Sequence, residues 1–112
     1  MLGLKRKAVR GDGVFSFRVS DVVEVPLRGT LLRLRLLDGT PSMGDLAVGS
    51  RLRLRGLSGA EREVVIKAHS LTGGRATQGR LDRTRELDVV LEQRGSEGEP
   101  VEIGWTAHGP VN

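Results

Sequence analysis

Arginine occupies every second position in two short runs, Arg33 and Arg35 in the first and Arg51, Arg53 and Arg55 in the second, with leucine between them. A guanidinium is a rigid fork of donors that matches a phosphate or a carboxylate, so this spacing suits anion binding. Arg28 heads the first run and belongs with the others. These six arginines are the candidate binding residues. RNA phosphates would satisfy them without any reading of base sequence, and an acidic protein surface offers the same chemistry. A third partner lies within the chain: Glu61 and Glu63 alternate in the same way and would ladder with Arg53 and Arg55. Such a ladder would relieve the repulsion between like charges on paired strands.

Other residue types point to less. His69 and His108 are the only histidines, lie far apart and have no cysteine to join them, so no metal site is expected. No Gly-x-Ser-x-Gly sequence presents a nucleophile. The acid pairs Asp82/Glu86 and Glu97/Glu99 fall in expected loops, where solvated charge is the simplest reading. Gly73-Gly74-Arg75 and Arg10-Gly11-Asp12-Gly13 could turn backbone donors toward an anion, although each also reads as a plain turn. The sequence therefore indicates no enzyme, no cofactor and no small-molecule substrate. Trp105, Phe15 and Phe17 are expected in the core rather than as platforms for stacked bases.

Alternation with a period of two makes half-buried strands, with leucine on one face and arginine on the other. At 112 residues the chain suits one domain with one small core, and its 16 glycines suggest many tight turns. Strands are expected at 14–19, 31–37, 50–55, 61–69, 85–93 and 101–106, with 21–25 continuing the first as strand or bulge and a helical turn competing only at 80–85. Pro26 suits a strand end or edge. The connector over 38–49 is long for a hairpin and reads as a surface loop. About six or seven short strands with such turns make an all-β antiparallel barrel or sandwich. Residues 1–13 form a basic lead-in, and 14–112 the single domain.

Charge is uneven, at +6 over residues 1–56 and −2 over 57–112. A basic half invites an acidic partner such as RNA or an acidic protein surface. No apolar run is long enough to span a membrane, and the absence of cysteine fits a reducing, cytoplasmic setting.

One stretch carries more specific landmarks. Phe17-Arg18-Val19-Ser20-Asp21-Val22-Val23 leads to Arg28-Gly29-Thr30-Leu31-Leu32-Arg33-Leu34, then to Asp38-Gly39 and to Val48-Gly49-Ser50-Arg51-Leu52-Arg53-Leu54. That order resembles domain 2 of the translational GTPases, the barrel best known from elongation factor Tu. The family's pattern runs Asp-Val-Phe, Arg-Gly-Thr-Val-Val-Thr-Gly-Arg-Val-Glu-x-Gly, then Val-Gly-x-x-Val-x-Ile. Arg33 and Leu34 stand where the family has Thr-Gly, and the connector is longer. No Gly-x-x-x-x-Gly-Lys-Ser/Thr loop for a nucleotide phosphate is present. The resemblance implies a small six-stranded barrel without its GTPase domain. It also implies contact with transfer or ribosomal RNA, or with a translation-associated complex.

Two functions remain open on this reading. One is a non-catalytic module that binds structured RNA through a basic strand face. The other is a protein-interaction module, an accessory subunit, adaptor or inhibitor, using the 38–49 loop and the strand edge near Pro26.

Overall fold

The computed structural model describes residues 14–71, 75–92 and 100–111. Six strands and one short helix follow one another as β1 (Phe15–Val25), β2 (Gly29–Gly39), β3 (Arg51–Arg55), β4 (Glu61–Ala68), α1 (Gln78–Thr84), β5 (Glu86–Leu91) and β6 (Thr106–Gly109). Every neighbouring pair is antiparallel, and the ring closes in the order β1-β2-β5-β4-β3-β6. The all-β antiparallel barrel expected from the alternation is the architecture found. Closure matters for a small protein because it removes open sheet edges around the ring, leaving one where β1 beyond Arg18 extends past β6.

The alternation settles which side faces in. Phe17, Val19, Leu32, Leu34, Leu52, Leu54 and Ile66 are fully buried inside the ring, and the arginines between them point outward. Phe15 and Phe17 meet edge to face with centroids 5.5 Å apart, the arrangement that the ring quadrupoles favour. Trp105 is buried too, and it packs on Gly56. A Cβ at position 56 would lie 2.7 Å from the indole, so only glycine fits there.

β1 runs through Ser20 without stopping, with a register shift between Val19 and Asp21. This is the bulge that lets one strand serve both the barrel and the projecting β1–β2 hairpin. The helical turn expected to compete at 80–85 is present as α1, which covers Gln78–Thr84 with Arg85 as its C-cap. Two expectations need correction. Residues 101–105 are not a strand: Gly104 has a positive φ, the Trp105 amide bonds back to Glu102, and the ladder begins only at Thr106. The apolar alternation of Val101, Ile103 and Trp105 suggested a strand, but Val101 and Trp105 are buried while Ile103 is exposed.

The second correction concerns the connector. It is not simply a surface loop, because Leu46 is fully buried in the core. Gln78 of α1 clasps the connector from outside, accepting from the Met43 amide at 2.8 Å and donating to the Pro41 carbonyl at 3.2 Å. A ring nitrogen of His69 donates to the Leu46 carbonyl at 2.6 Å. The basic lead-in at 1–13, the 72–74 part of the glycine loop and the 96–99 part of the polar turn lie outside the described residues. No helix among the described residues is long and apolar enough to cross a membrane.

Candidate nucleic-acid interface

The two arginine runs stand apart. β2 and β3 are three places apart in the six-stranded ring whichever way it is followed, so their outer faces lie on opposite walls. Among the described residues the two runs do not share one strand face.

Each run is also matched by acids from the strand beside it. Arg33 forms a bidentate pair with Asp88, at 3.0 and 3.3 Å, and lies opposite Asp21 on its other side. That hydrogen bond and the nearby negative charge hold the Arg33 guanidinium above its ordinary pKa. Arg35 reaches Glu86 at 3.4 Å, with Arg18 as its cross-strand neighbour on β1. On the other wall Arg51 meets Glu63 at 3.0 Å and Arg53 approaches the same carboxylate at 4.0 Å. Arg55 holds Glu61 at 2.7 Å. The ladder expected with Glu61 and Glu63 is thus present. The matching one from Glu86 and Asp88 was not foreseen, because nothing local in the sequence says that β2 lies beside β5.

Arg28 sits elsewhere, in the β1–β2 turn, where it donates to the carbonyl of Leu71 at 3.0 Å. All of the laddered side chains remain about half exposed. Exposed pairs of this kind contribute little, typically about 0–1 kcal/mol each. Arg53→Ser, which removes the longest contact, is therefore expected to change unfolding free energy by no more than about 0.5 kcal/mol in a urea titration.

Among the described residues, a group of arginines without acidic partners gathers around α1. Arg75, Arg80, Arg83 and Arg85 fall within eleven residues, are all exposed, and form no ion pair among the described residues. The one acid in that segment, Asp82, accepts from Gln78 at 3.0 Å. Thr77 caps the helix by accepting from the Arg80 amide, and Leu81 anchors it in the core. Arg85 ends it in the left-handed region with φ 60°, a position where glycine is usual. Its backbone is pinned there, with its amide bonded to Leu81 and its carbonyl to the Leu36 amide. A large cationic side chain is thus kept at a strained place beside the other three.

Arg75 and Arg80 line a groove of about 300 Å³ between α1 and the β2–β5 wall, with Arg33 and its Asp88 partner on the far side. Ser70, Thr77 and Thr84 add hydroxyl groups to its walls. With Arg33, Arg75 and Arg80 against Glu86 and Asp88, the lining keeps a net positive charge, which suits an anion of phosphate size at the Arg75–Arg80 side. The signal in the sequence was a local density of arginine without alternating leucine, and strand periodicity does not register it.

Neither histidine is placed for metal binding, and the described residues contain no cluster of histidine and acid that could hold an ion. His108 lies on β6 opposite Arg53, within hydrogen-bonding distance of Thr106 Oγ1 at 3.0 Å. Burial, and then the charges of Arg55 and Arg53, hold its pKa below the ordinary value of 6.5, with Glu61 opposing them. Above 6.5 it is neutral both folded and unfolded. Below, the unfolded chain takes up the proton first, so folding stability falls as pH drops toward the lowered folded value. The expected result is a melting temperature that declines from about pH 7.5 to about pH 5.5, and declines less in His108→Gln.

No protein-family model matches the chain, and no curated protein matches it.

Proposed function

We propose that this protein is a non-catalytic RNA-binding module of the translation-factor domain 2 type, gripping phosphates through the arginines around α1. The observation that carries the reading is the set Arg75, Arg80, Arg83 and Arg85, four exposed guanidinium groups unmatched by acid beside a groove of phosphate-admitting size. The resemblance of residues 17–54 to domain 2 supports RNA as the source of those phosphates. The barrel architecture agrees with it, although a shared fold alone does not assign a function. The strand arginines play a lesser part: Arg33, Arg35, Arg51, Arg53 and Arg55 keep their acidic partners and add contacts only where a phosphate approaches their exposed edges.

Such binding would be electrostatic and insensitive to base sequence, because phosphate contacts position a nucleic acid without reading it. Scarce aromatic side chains, all three of them buried, fit a ligand held by its backbone rather than by stacked bases. The test is fluorescence anisotropy of labelled transfer RNA and ribosomal RNA hairpins titrated with protein over a range of salt. Affinity should fall linearly with the logarithm of salt concentration, with a slope reporting a small number of phosphates. Binding that is absent, or that ignores salt, overturns the proposal.

A further inference from the structure

The groove beside α1 is not uniformly basic. Arg75 and Arg80 line it on the helix side, and neither has an acidic partner among the described residues. The β2–β5 wall opposite contributes Arg33 together with two carboxylates, Glu86 and Asp88. The groove therefore has a polarity. A phosphate is drawn to the α1 side, and on the strand side it meets carboxylates that repel it. What suits the strand side is a neutral group that donates hydrogen bonds.

Glu86 is the better placed of the two carboxylates. Asp88 gives both oxygens to Arg33, at 3.0 and 3.3 Å. Glu86 gives only Oε2, to Arg35 at 3.4 Å, and Arg35 does not line the groove. An ionised carboxylate has about four acceptor positions, and Oε1 of Glu86 accepts no hydrogen bond among the described residues. The Glu86 side chain is 40% exposed, so a ligand can reach it. The backbone behind it is held on both sides. The Glu86 amide donates to Thr84 Oγ1 at 3.2 Å, and the Arg85 carbonyl accepts from the Leu36 amide at 2.8 Å.

RNA carries a matching donor close to every phosphate. The 2′-hydroxyl is neutral, can donate its proton, and is missing from DNA. At about 300 Å³ the groove lies at the small end of ligand sites, a size for one sugar and its phosphate rather than for a longer stretch of chain.

We propose that the groove holds a ribose–phosphate unit of RNA, with the phosphate on Arg75 and Arg80 and the 2′-hydroxyl donating to Glu86, so that the protein prefers RNA to DNA. The inference rests on the α1 arginines gripping RNA phosphates. It adds what phosphate contacts alone do not give, a choice between two nucleic acids of equal charge.

The test is fluorescence anisotropy with one ribosomal RNA hairpin made in three forms, as RNA, as 2′-O-methyl RNA and as DNA. The 2′-O-methyl form keeps the charge and sugar shape of RNA but has no hydroxyl proton to donate. The parent chain is expected to bind RNA about five- to tenfold more tightly than either other form, the worth of one hydrogen bond to a charged acceptor. Glu86→Val, which has no acceptor, should bring the ratio of RNA to 2′-O-methyl affinity to about one, whereas Glu86→Gln, which keeps an acceptor oxygen, should retain most of it. Glu61→Val removes the same charge from the β3–β4 wall, outside the groove, and should leave the ratio as it is in the parent. Glu86→Val should bind the 2′-O-methyl form at least as tightly as the parent does, because a negative charge has gone. Weaker binding of that form would mean that Glu86 supports the groove rather than receiving the hydroxyl, and overturns the assignment. A ratio that survives in Glu86→Val, or that disappears equally in Glu61→Val, overturns it too. RNA and 2′-O-methyl RNA bound alike by the parent overturn the inference and leave the phosphate grip standing, while no binding to any form overturns both.

Discussion

Arg80→Glu combined with Arg83→Glu is expected to weaken binding to transfer RNA by about tenfold or more near physiological salt. The salt slope should become shallower by roughly two, about one for each phosphate contact removed. Both side chains project from the exposed side of α1, which is anchored through Leu81, so the substitutions leave the core intact. Glutamate at these positions adds repulsion to the lost attraction. The matching control is Arg51→Ser with Arg53→Ser on the opposite wall. That pair leaves Glu63 without its arginines and takes away two charges, of which that carboxylate already balances one. Its effect on RNA affinity is expected to stay below about threefold. A loss of binding free energy from the β3 variant about half that of the α1 variant, in proportion to the two charges it removes against four, would mean that RNA responds only to net charge. A larger loss from the β3 variant would return the interface to the strand arginines.

The contrast between those variants follows from how charge is redistributed by folding. Along the chain, the first half is basic and the second slightly acidic. In the barrel, Arg33 and Arg35 from the first half lie beside Asp88 and Glu86 from the second, and Arg51, Arg53 and Arg55 lie beside Glu61 and Glu63. Strand pairing thus offsets most of the charge on the strand arginines that suggested a basic face, while residues 1–13, which carry three of the six excess charges, lie outside the described residues. What survives is a cluster located inside the acidic half, at 75–85.

Much of the fold was legible for a simple reason: an inward leucine at every second residue leaves a strand only one way to face. Phe17, Leu34 and Leu54 needed no tertiary knowledge. Strand order was not legible, since hydrophobic alternation is the same whichever neighbour a strand takes. Only the β1–β2 hairpin and the β3–β4 pair, close in sequence, could be foreseen, which is why Glu61 was found as a partner for Arg55 and Asp88 was missed for Arg33. Residues 101–105 misled because apolar residues at alternate positions need not all face one way, and a turn here tucks Val101 and Trp105 inward around Gly104 while Ile103 stays exposed. The α1 segment resisted for the opposite reason. Seven residues with one buried side chain carry almost no periodic signal, and the meaning of its arginines depends on the absence of acids nearby in space.

Leu46→Ala is expected to destabilise the protein by about 2–5 kcal/mol, the range for emptying a leucine's place in a packed core. Denaturant unfolding would measure it, provided that the slope of the transition stays constant. Val48→Ala, two residues on and mostly exposed, should change stability by no more than about 0.5 kcal/mol. The disparity separates a connector that plugs the barrel from one that merely crosses its surface. The consequence reaches the proposed interface. Leu46 is held from within by the core and through its carbonyl by His69, while Gln78 ties the preceding residues Pro41 and Met43 to α1. Loosening the connector should therefore loosen the helix. Amide exchange at Leu81 and Arg85, whose N–H groups bond within α1 and its cap, should quicken more in Leu46→Ala than exchange in β2. If it does not, Gln78 is a surface contact only, and the α1 arginines are positioned by Leu81 alone. A fall in RNA affinity alongside the faster exchange would show that phosphate binding depends on a helix preorganised by a leucine buried in the connector. In that case one side chain serves both the closure of the barrel and the geometry of its binding face.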